Sequence, residues 1–378
     1  MNITTPPLGF NTWNTFGSKI SDDLIRQTAD KIVALGLKDV GYQYIVIDDC
    51  WQEKQRDENN RLVPSKVKFP NGIKPVADYV HSKGLKFGIY SCVGNRTCAD
   101  FPGSFEHEFI DAQTFAEWGV DYLKYDFCFK PSCERADLLY KRMALALANC
   151  GRDIVFSACN WGVDEAKKWI KETGAHLWRT GGDIVDNWES VAGIFERHID
   201  KVPYNARGCY ADMDMLIVGM NGEGAHSLGG CNEEEYKTHF AIWCMFSSPL
   251  IIGCDIRKVD EKSLAVLKNR DLIDICCDSL NCQPYLTEAV GRSGCKAQVW
   301  VRHLENGDIA IAMFNMNNEP TRGFIPFVSM GLNASCQRAL DMRELYTGEE
   351  LKKVKYEFLS DVIPPHGCRI YRAKVRGL

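Results

Sequence analysis

The feature that most constrains this chain is a rhythm that runs from its start to about residue 280. Short apolar runs at 44–47, 86–90, 122–125 and 154–158 alternate with longer stretches whose apolar residues recur every three or four positions. The short runs read as buried strands and the long ones as amphipathic helices. Ser21 is placed to cap a helix over 22–35, in which Leu24, Ile25, Thr28, Ile32 and Leu35 share one face before Gly36 ends it. Further helices are predicted at 74–83, 111–118, 135–149, 164–173, 188–199, 233–247 and 263–275, with weaker strands at 9–13, 177–179, 208–212 and 250–253. Strict strand–helix alternation demands a parallel sheet with right-handed crossovers. Eight such units favour a closed (β/α)8 TIM barrel, an α/β fold, over an open doubly wound sheet.

Beyond residue 290 the texture changes. Residues 297–302 alternate at period two, 305–308 make a turn, 309–314 follow, and short strands continue to 371. That pattern predicts a C-terminal antiparallel β domain, most simply a β-sandwich. The division expected is 1–285 for the barrel and 286–378 for the sandwich.

Composition narrows the function classes. Lys and Arg number 45 against 50 Asp and Glu, a net charge of −5. With no run of five or more basic residues, nothing draws the chain to phosphate backbones or anionic membranes, so neither nucleic acid nor a membrane is expected as a partner. No apolar stretch reaches the ~20 residues that span a bilayer. The 17 cysteines are odd in number and scattered through a long chain, unlike a secreted disulfide scaffold. They read as reduced small hydrophobes. Residues 1–7 also lack the basic and apolar regions of a signal peptide, so the expected location is cytoplasmic.

In an eight-fold barrel the loops after the strands carry the chemistry. Asp48 and Asp49 follow the second strand and Tyr90 with Cys92 the third; Lys124, Asp126 and Cys128 mark the fourth. Asn160 and Trp161 follow the fifth, Arg179 and Asp183 the sixth, Asp212 and Asp214 the seventh. His is absent from these positions, which argues against a metal-dependent barrel hydrolase; no metal or other cofactor is expected. Carboxylates beside aromatics such as Trp13 and Trp51 suit glycoside hydrolysis. Plainer readings exist for each residue: an Asp at a strand end commonly caps the next helix, Lys124 could serve a buried ion pair, and Trp13 could be core.

Six strings in order resemble one family. They are Thr5 to Trp13, Ile47-Asp48-Asp49-Cys50-Trp51, Tyr79 to Tyr90, Phe101 to Phe105, Lys124-Tyr125-Asp126-Phe127-Cys128 and Trp178 to Ile184. The chain resembles the retaining α-galactosidases and α-N-acetylgalactosaminidases (melibiases, glycoside hydrolase family 27) over nearly its whole length. The resemblance implies that Asp126 is the nucleophile and Asp183 the general acid/base. It implies that Asp48 and Asp49 hold the 4- and 6-hydroxyls of the sugar, that Lys124 binds the 3- and 4-hydroxyls and that Arg179 contacts the 2-position. Trp13 would be the stacking platform, with Tyr90 and Asp214 as further pocket residues. The implied partner is a small oligosaccharide ending in α-galactose. Lys124 is expected to keep Asp126 ionised, whereas Asp183 must begin protonated, its pKa raised by burial and a nearby anion.

Three departures qualify the resemblance. Asn160, before Trp161, stands where α-galactosidases carry Glu and N-acetylgalactosaminidases carry Ser; Val163 is bulkier than the small residue that admits an acetamido group, which favours galactose. The stretch 210–215 differs from the family pattern while keeping Asp212 and Asp214, and it motivates the remaining alternative, a non-catalytic sugar-binding protein. The family's disulfides are thinned, with only Cys98 and Cys128 left as a matched pair beside the pocket.

Overall fold

The computed structural model describes residues 3–287, 292–332 and 338–377. By compactness the chain forms two units, Met1–Gly230 with Pro249–Asp260, and Cys231–Ser248 with Glu261–Leu378.

In the first unit, β1 (Leu8–Asn11) leads through the short α1 (Trp13–Phe16) and α2 (Asp22–Ala34) to β2 (Tyr44–Val46), and α3 (Lys74–Ser82) leads to β3 (Lys86–Cys92). Next come α4 (Glu108–Glu117), β4 (Tyr122–Asp126), α5 (Ala136–Ala148), β5 (Val155–Cys159) and β6 (Leu177–Arg179), then α6 (Trp188–His198), β7 (Tyr210–Asp212) and finally β8 (Leu250–Ile252). All eight strands lie in one parallel sheet, with β1 between β2 and β8. Leu216, beyond β7, bridges in parallel to Ile252, and that contact closes the ring. The strands are short and buried, as a sheet covered on both faces requires.

Alternation along the strands explains how the barrel presents its chemistry. Tyr44, Val46, Tyr122, Val155, Leu177 and Tyr210 form one buried apolar cluster with Ile3. β3 contributes Gly88 at this level, where a Cβ would stand 2.8 Å from Val46 Cγ2 and 3.1 Å from Tyr122 Cβ. Side chains repeat every second residue, so the next inward positions are Asp48, Tyr90, Lys124, Ser157, Arg179 and Asp212. One apolar layer thus supports one polar layer.

The expected elements hold with three corrections. Ser21 caps α2, its Oγ accepting from Leu24 N at 3.2 Å. The helix expected at 164–173 is instead two 3-10 turns, Ala166–Lys168 and Ile170–Thr173, because Asp164 and Glu165 both adopt left-handed backbone, φ +53°. The helix expected at 263–275 is split into α8 (Glu261–Leu267) and α9 (Arg270–Cys276), since Asn269 caps a new start through Leu272 N. The first strand stops at Asn11, so Trp13 opens α1 rather than closing β1.

The second unit contains α7 (Glu233–Met245), α8, α9 and the C-terminal strands, so the compact units part elsewhere than at residue 285. Thr238 Oγ1 of α7 donates to His366 O at 2.7 Å, and buried Arg302 donates to Met245 O at 3.0 Å. Its strands are β9 (Tyr285–Leu286), β10 (Gln298–His303), β11 (Ile309–Phe314), β12 (Phe324–Pro326), β13 (Ala339–Glu344), β14 (Glu350–Val354), β15 (Glu357–Leu359) and β16 (Cys368–Arg376). Six form an antiparallel sheet ordered β14-β13-β16-β11-β10-β9, and β12 pairs with β15 in a second. Val299, Ile311, Met313, Ile325 and Leu340 make the core between them. Among the described residues no helix is long and apolar enough to cross a membrane.

Candidate active site

The polar layer of the barrel is wired into two groups. In the first, Asp48 Oδ2 accepts from Lys124 Nζ and from Asn11 Nδ2, each at 2.7 Å. The Asp48 amide donates to Thr12 Oγ1 at 3.0 Å. Asp49 is held by the backbone, its oxygens accepting from Cys50 N at 2.6 Å and Ala99 N at 2.9 Å. Asp126, at the end of β4, accepts from Tyr90 Oη at 3.0 Å and from Phe127 N at 2.8 Å. Burial pushes its pKa up despite the Lys124 charge that pulls it down. Lys124 would lose its proton to burial alone, but Asp48 first, then Cys159, Asp126 and Asp183, hold it firmly charged.

The second group centres on Arg179 at the end of β6. Its guanidinium spans two carboxylates, Asp214 at 2.7 Å and Asp183 at 2.8 Å. Asp214 takes a left-handed backbone, φ +81°, and accepts from Ile184 N at 2.7 Å, so it fixes the segment that carries Asp183. The Asp214 amide in turn donates to Asp212 Oδ1 at 2.8 Å. Burial pushes Asp214 up to about 7 even though Arg179 pulls against it. Asp183 behaves oppositely: burial raises it, but Arg179 and Lys124 together hold it below the ordinary carboxylate value. The expectation of a raised pKa at Asp183 is therefore corrected, and the cause is the Arg179 ion pair. Arg179 Nε is buried with no hydrogen-bond partner among the described residues, an N–H left for an incoming acceptor.

Two other expected residues behave unexpectedly. Asn160 is fully buried and turned into its own loop, Nδ2 donating to Val163 O at 2.8 Å while Oδ1 accepts from Gly162 N at 3.3 Å. Trp161 follows with φ +58° and packs edge-on to Phe127, 5.9 Å between centroids. Trp13 remains partly exposed and lies against the His226 ring at 5.7 Å. Cys98 and Cys128 are joined as a disulfide, Cα atoms 5.2 Å apart. Their sulfurs and Asp126 lie close together, but bonded to one another they offer no thiolate to a metal.

The sequence reading overlooked Asn11, which sits at a strand end by the same rule that found Asp48. It also overlooked the anchoring of Asp49 by Ala99 N, which no spacing reveals. A groove of about 690 Å³ lies elsewhere, among residues such as Ala148, Arg152 and His176 that precede β5 and β6 or end α5. It is at the opposite ends of those strands from the carboxylates.

The barrel with this rim has known relatives. Residues 5–278 match the family described as alpha galactosidase A, and residues 294–373 match the alpha galactosidase C-terminal beta sandwich domain. The chain belongs to the α-galactosidase family. It is 40% identical over 368 residues to the α-galactosidase of Cyamopsis tetragonoloba, covering 97% of this chain and 85% of that protein. Among solved family members, α-galactosidase I from Mortierella vinacea superposes with a TM-score of 0.90 at 31% identity, covering 98% and 97% of the two chains. The α-galactosidase from Saccharomyces cerevisiae with raffinose gives 0.88 at 27% identity, covering 99% and 98%.

Proposed function

We propose that this protein is an exo-acting, retaining α-galactosidase that releases terminal α-D-galactose from raffinose- or melibiose-type oligosaccharides by double displacement. The observation that carries the reading is the two-part rim: a Lys124-neutralised group around Asp126 and an Arg179-centred group around Asp183, on a barrel whose relatives are named α-galactosidases. Asp126 attacks the anomeric carbon as the galactosidic oxygen leaves, and Asp183 protonates that oxygen. Water, deprotonated by Asp183, then displaces Asp126 from the covalent intermediate, restoring the original configuration. That chemistry requires the two carboxyls about 5–5.5 Å apart. Tyr90 and Phe127 N donate to the Asp126 carboxylate, which stabilises it as it departs in the second step.

Asp48 and Asp49 grip the 4- and 6-hydroxyls, Lys124 the 3- and 4-hydroxyls, Trp13 stacks on the sugar, and Arg179 meets the 2-hydroxyl. An axial hydroxyl held by a charged, fully buried pair excludes the equatorial epimer, because the pair would otherwise be left unsatisfied. We assign residues 1–285 to the catalytic barrel and 286–378 to the appended sandwich. We place the protein in the cytoplasm; apart from Cys98 and Cys128, the described cysteines are free thiols, most of them buried. The mechanism calls for no cofactor.

A second reading, α-N-acetylgalactosaminidase, is favoured by one observation: Asn160 spends its amide on its own loop and presents no acidic side chain to the 2-position. Parallel hydrolysis of p-nitrophenyl α-D-galactopyranoside and its 2-acetamido counterpart decides between them. Turnover of the first that survives in both Asp126→Ala and Asp183→Ala refutes the assigned roles. A protein that binds galactose yet turns over neither glycoside is a binding protein.

A further inference from the structure

The segment that follows β7 is unusually glycine-rich and closely tied. Gly219, Gly222, Gly224, Gly229 and Gly230 all adopt positive φ. At Gly224, φ +108°, a Cβ would stand 2.9 Å from both Asn14 O and Thr15 Cα, so only glycine lets this segment lie against α1. Ala225 N donates to Thr15 O at 3.1 Å and His226 N to Asn14 O at 2.9 Å. The other side is fastened to fully buried Asp186, three residues beyond Asp183. Asp186 N donates to His226 O at 3.0 Å, while Asp186 O accepts from Gly230 N at 3.0 Å and Asp186 Oδ2 from Gly222 N at 2.8 Å. The strap therefore joins the start of α1, where Trp13 stands, to the segment that carries Asp183.

Its one imidazole is delivered to that junction. The His226 ring rests against Trp13 with centroids 5.7 Å apart, and the same residue's carbonyl accepts from the amide of Asp186, three residues beyond Asp183. Asp183 is the open member of the group, its side chain 46% exposed where that of Asp214 is 4%. A general acid faces the oxygen it protonates, so the open side of Asp183 is the leaving-group side. A polar ring against the platform aromatic, on a strap tied to the segment of Asp183, is placed to border the space into which a leaving sugar would project. We infer that His226 is a specificity-determining residue of the leaving-group subsite, hydrogen-bonding a hydroxyl of a departing sugar next to the Trp13 platform on which the galactose stacks. This inference rests on the α-galactosidase reading and deepens it. One imidazole–hydroxyl hydrogen bond is worth about a fivefold effect on kcat/KM.

The test compares wild type, His226→Ala and His226→Gln on melibiose and on p-nitrophenyl α-D-galactopyranoside, with galactose as a competitive inhibitor. Wild-type turnover of the aryl galactoside comes first; silence there fails the α-galactosidase reading itself. The expected result is a ratio of kcat/KM on melibiose to that on the aryl galactoside about fivefold lower in His226→Ala, largely restored in His226→Gln, with the galactose inhibition constant moving less than about twofold. An unchanged ratio overturns the inference. So does a parallel loss of galactose affinity, which would mean the ring merely props Trp13.

Discussion

Lys124 and Asp48 offer the sharpest test of how the barrel holds its charges. Their 2.7 Å contact is nearly dry, the side chains 12% and 2% exposed. At an effective dielectric of ~20 the gross attraction is 332/(20 × 2.7), about 6 kcal/mol. Desolvation of both ions consumes much of this, so the pair adds little over an apolar replacement. Removing one partner is different, because the other charge stays buried and uncompensated. Lys124→Met and Asp48→Asn should therefore each destabilise the fold by about 3–5 kcal/mol. In the double variant neither member of the pair is left without the other, and Asn11 can still bond the new amide. Its cost should fall short of the sum by about 2–3 kcal/mol. Urea unfolding at pH 7, followed by fluorescence and far-ultraviolet circular dichroism, measures all four proteins, provided the two probes give coincident transitions. Additivity within about 0.5 kcal/mol would refute the reasoning, since it would mean the two charges are solvated independently.

Two further outcomes concern the loops around that layer. Asp214 has its pKa raised from 3.8 to about 7, so the folded chain keeps a proton that the unfolded chain lacks; the associated stability is present at low pH and lost as pH rises through 7. Relative to Asp214→Asn, wild type should gain about 2 kcal/mol of unfolding free energy between pH 7 and pH 5, and parallel pH profiles for the two proteins would disprove this. Cys98 and Cys128 are 30 residues apart in sequence, and closing a loop of that length removes about 3.5 kcal/mol of unfolded-state freedom. Cys128→Ser should lower unfolding stability by roughly that amount, and an unchanged urea midpoint under non-reducing conditions would contradict it.

The architecture was legible because both of its periods are strong. Strand–helix alternation gave the barrel, and the onset of period two after residue 290 gave the sandwich. The site was legible for one reason: a residue at a barrel strand end lies on the rim whatever its neighbours do. Asp48, Lys124, Asp126 and Arg179 needed nothing more. What stayed hidden depends on backbone shape rather than residue type. Asp164 and Glu165 look like the start of a helix, yet their left-handed backbone breaks it into 3-10 turns. Asn160 has the chemistry to bond a sugar, but its amide is spent within its own loop. Ala99 has no side chain to notice, yet its N–H is a partner of Asp49.

The inverted proton inventory at Arg179 follows from the same limitation, and it shapes the proposed mechanism. Sequence reasoning assigns Asp183 the proton because a general acid needs one. In the barrel the guanidinium lies between two carboxylates, and burial favours the proton on the enclosed one, Asp214, while exposed Asp183 stays charged. In the proposed mechanism a bound galactoside would change three things together. It would cover Asp183 and remove water from it, bring a 2-hydroxyl toward the unpartnered Nε of Arg179, and set a neutral glycosidic oxygen against the carboxyl. The first favours the protonated form, and any turn of Arg179 toward the sugar weakens the ion pair that opposes it. On this reasoning Asp183 becomes an acid only in the occupied site, where a proton donor is useful. The acid needed for the first displacement is then a property of the complex.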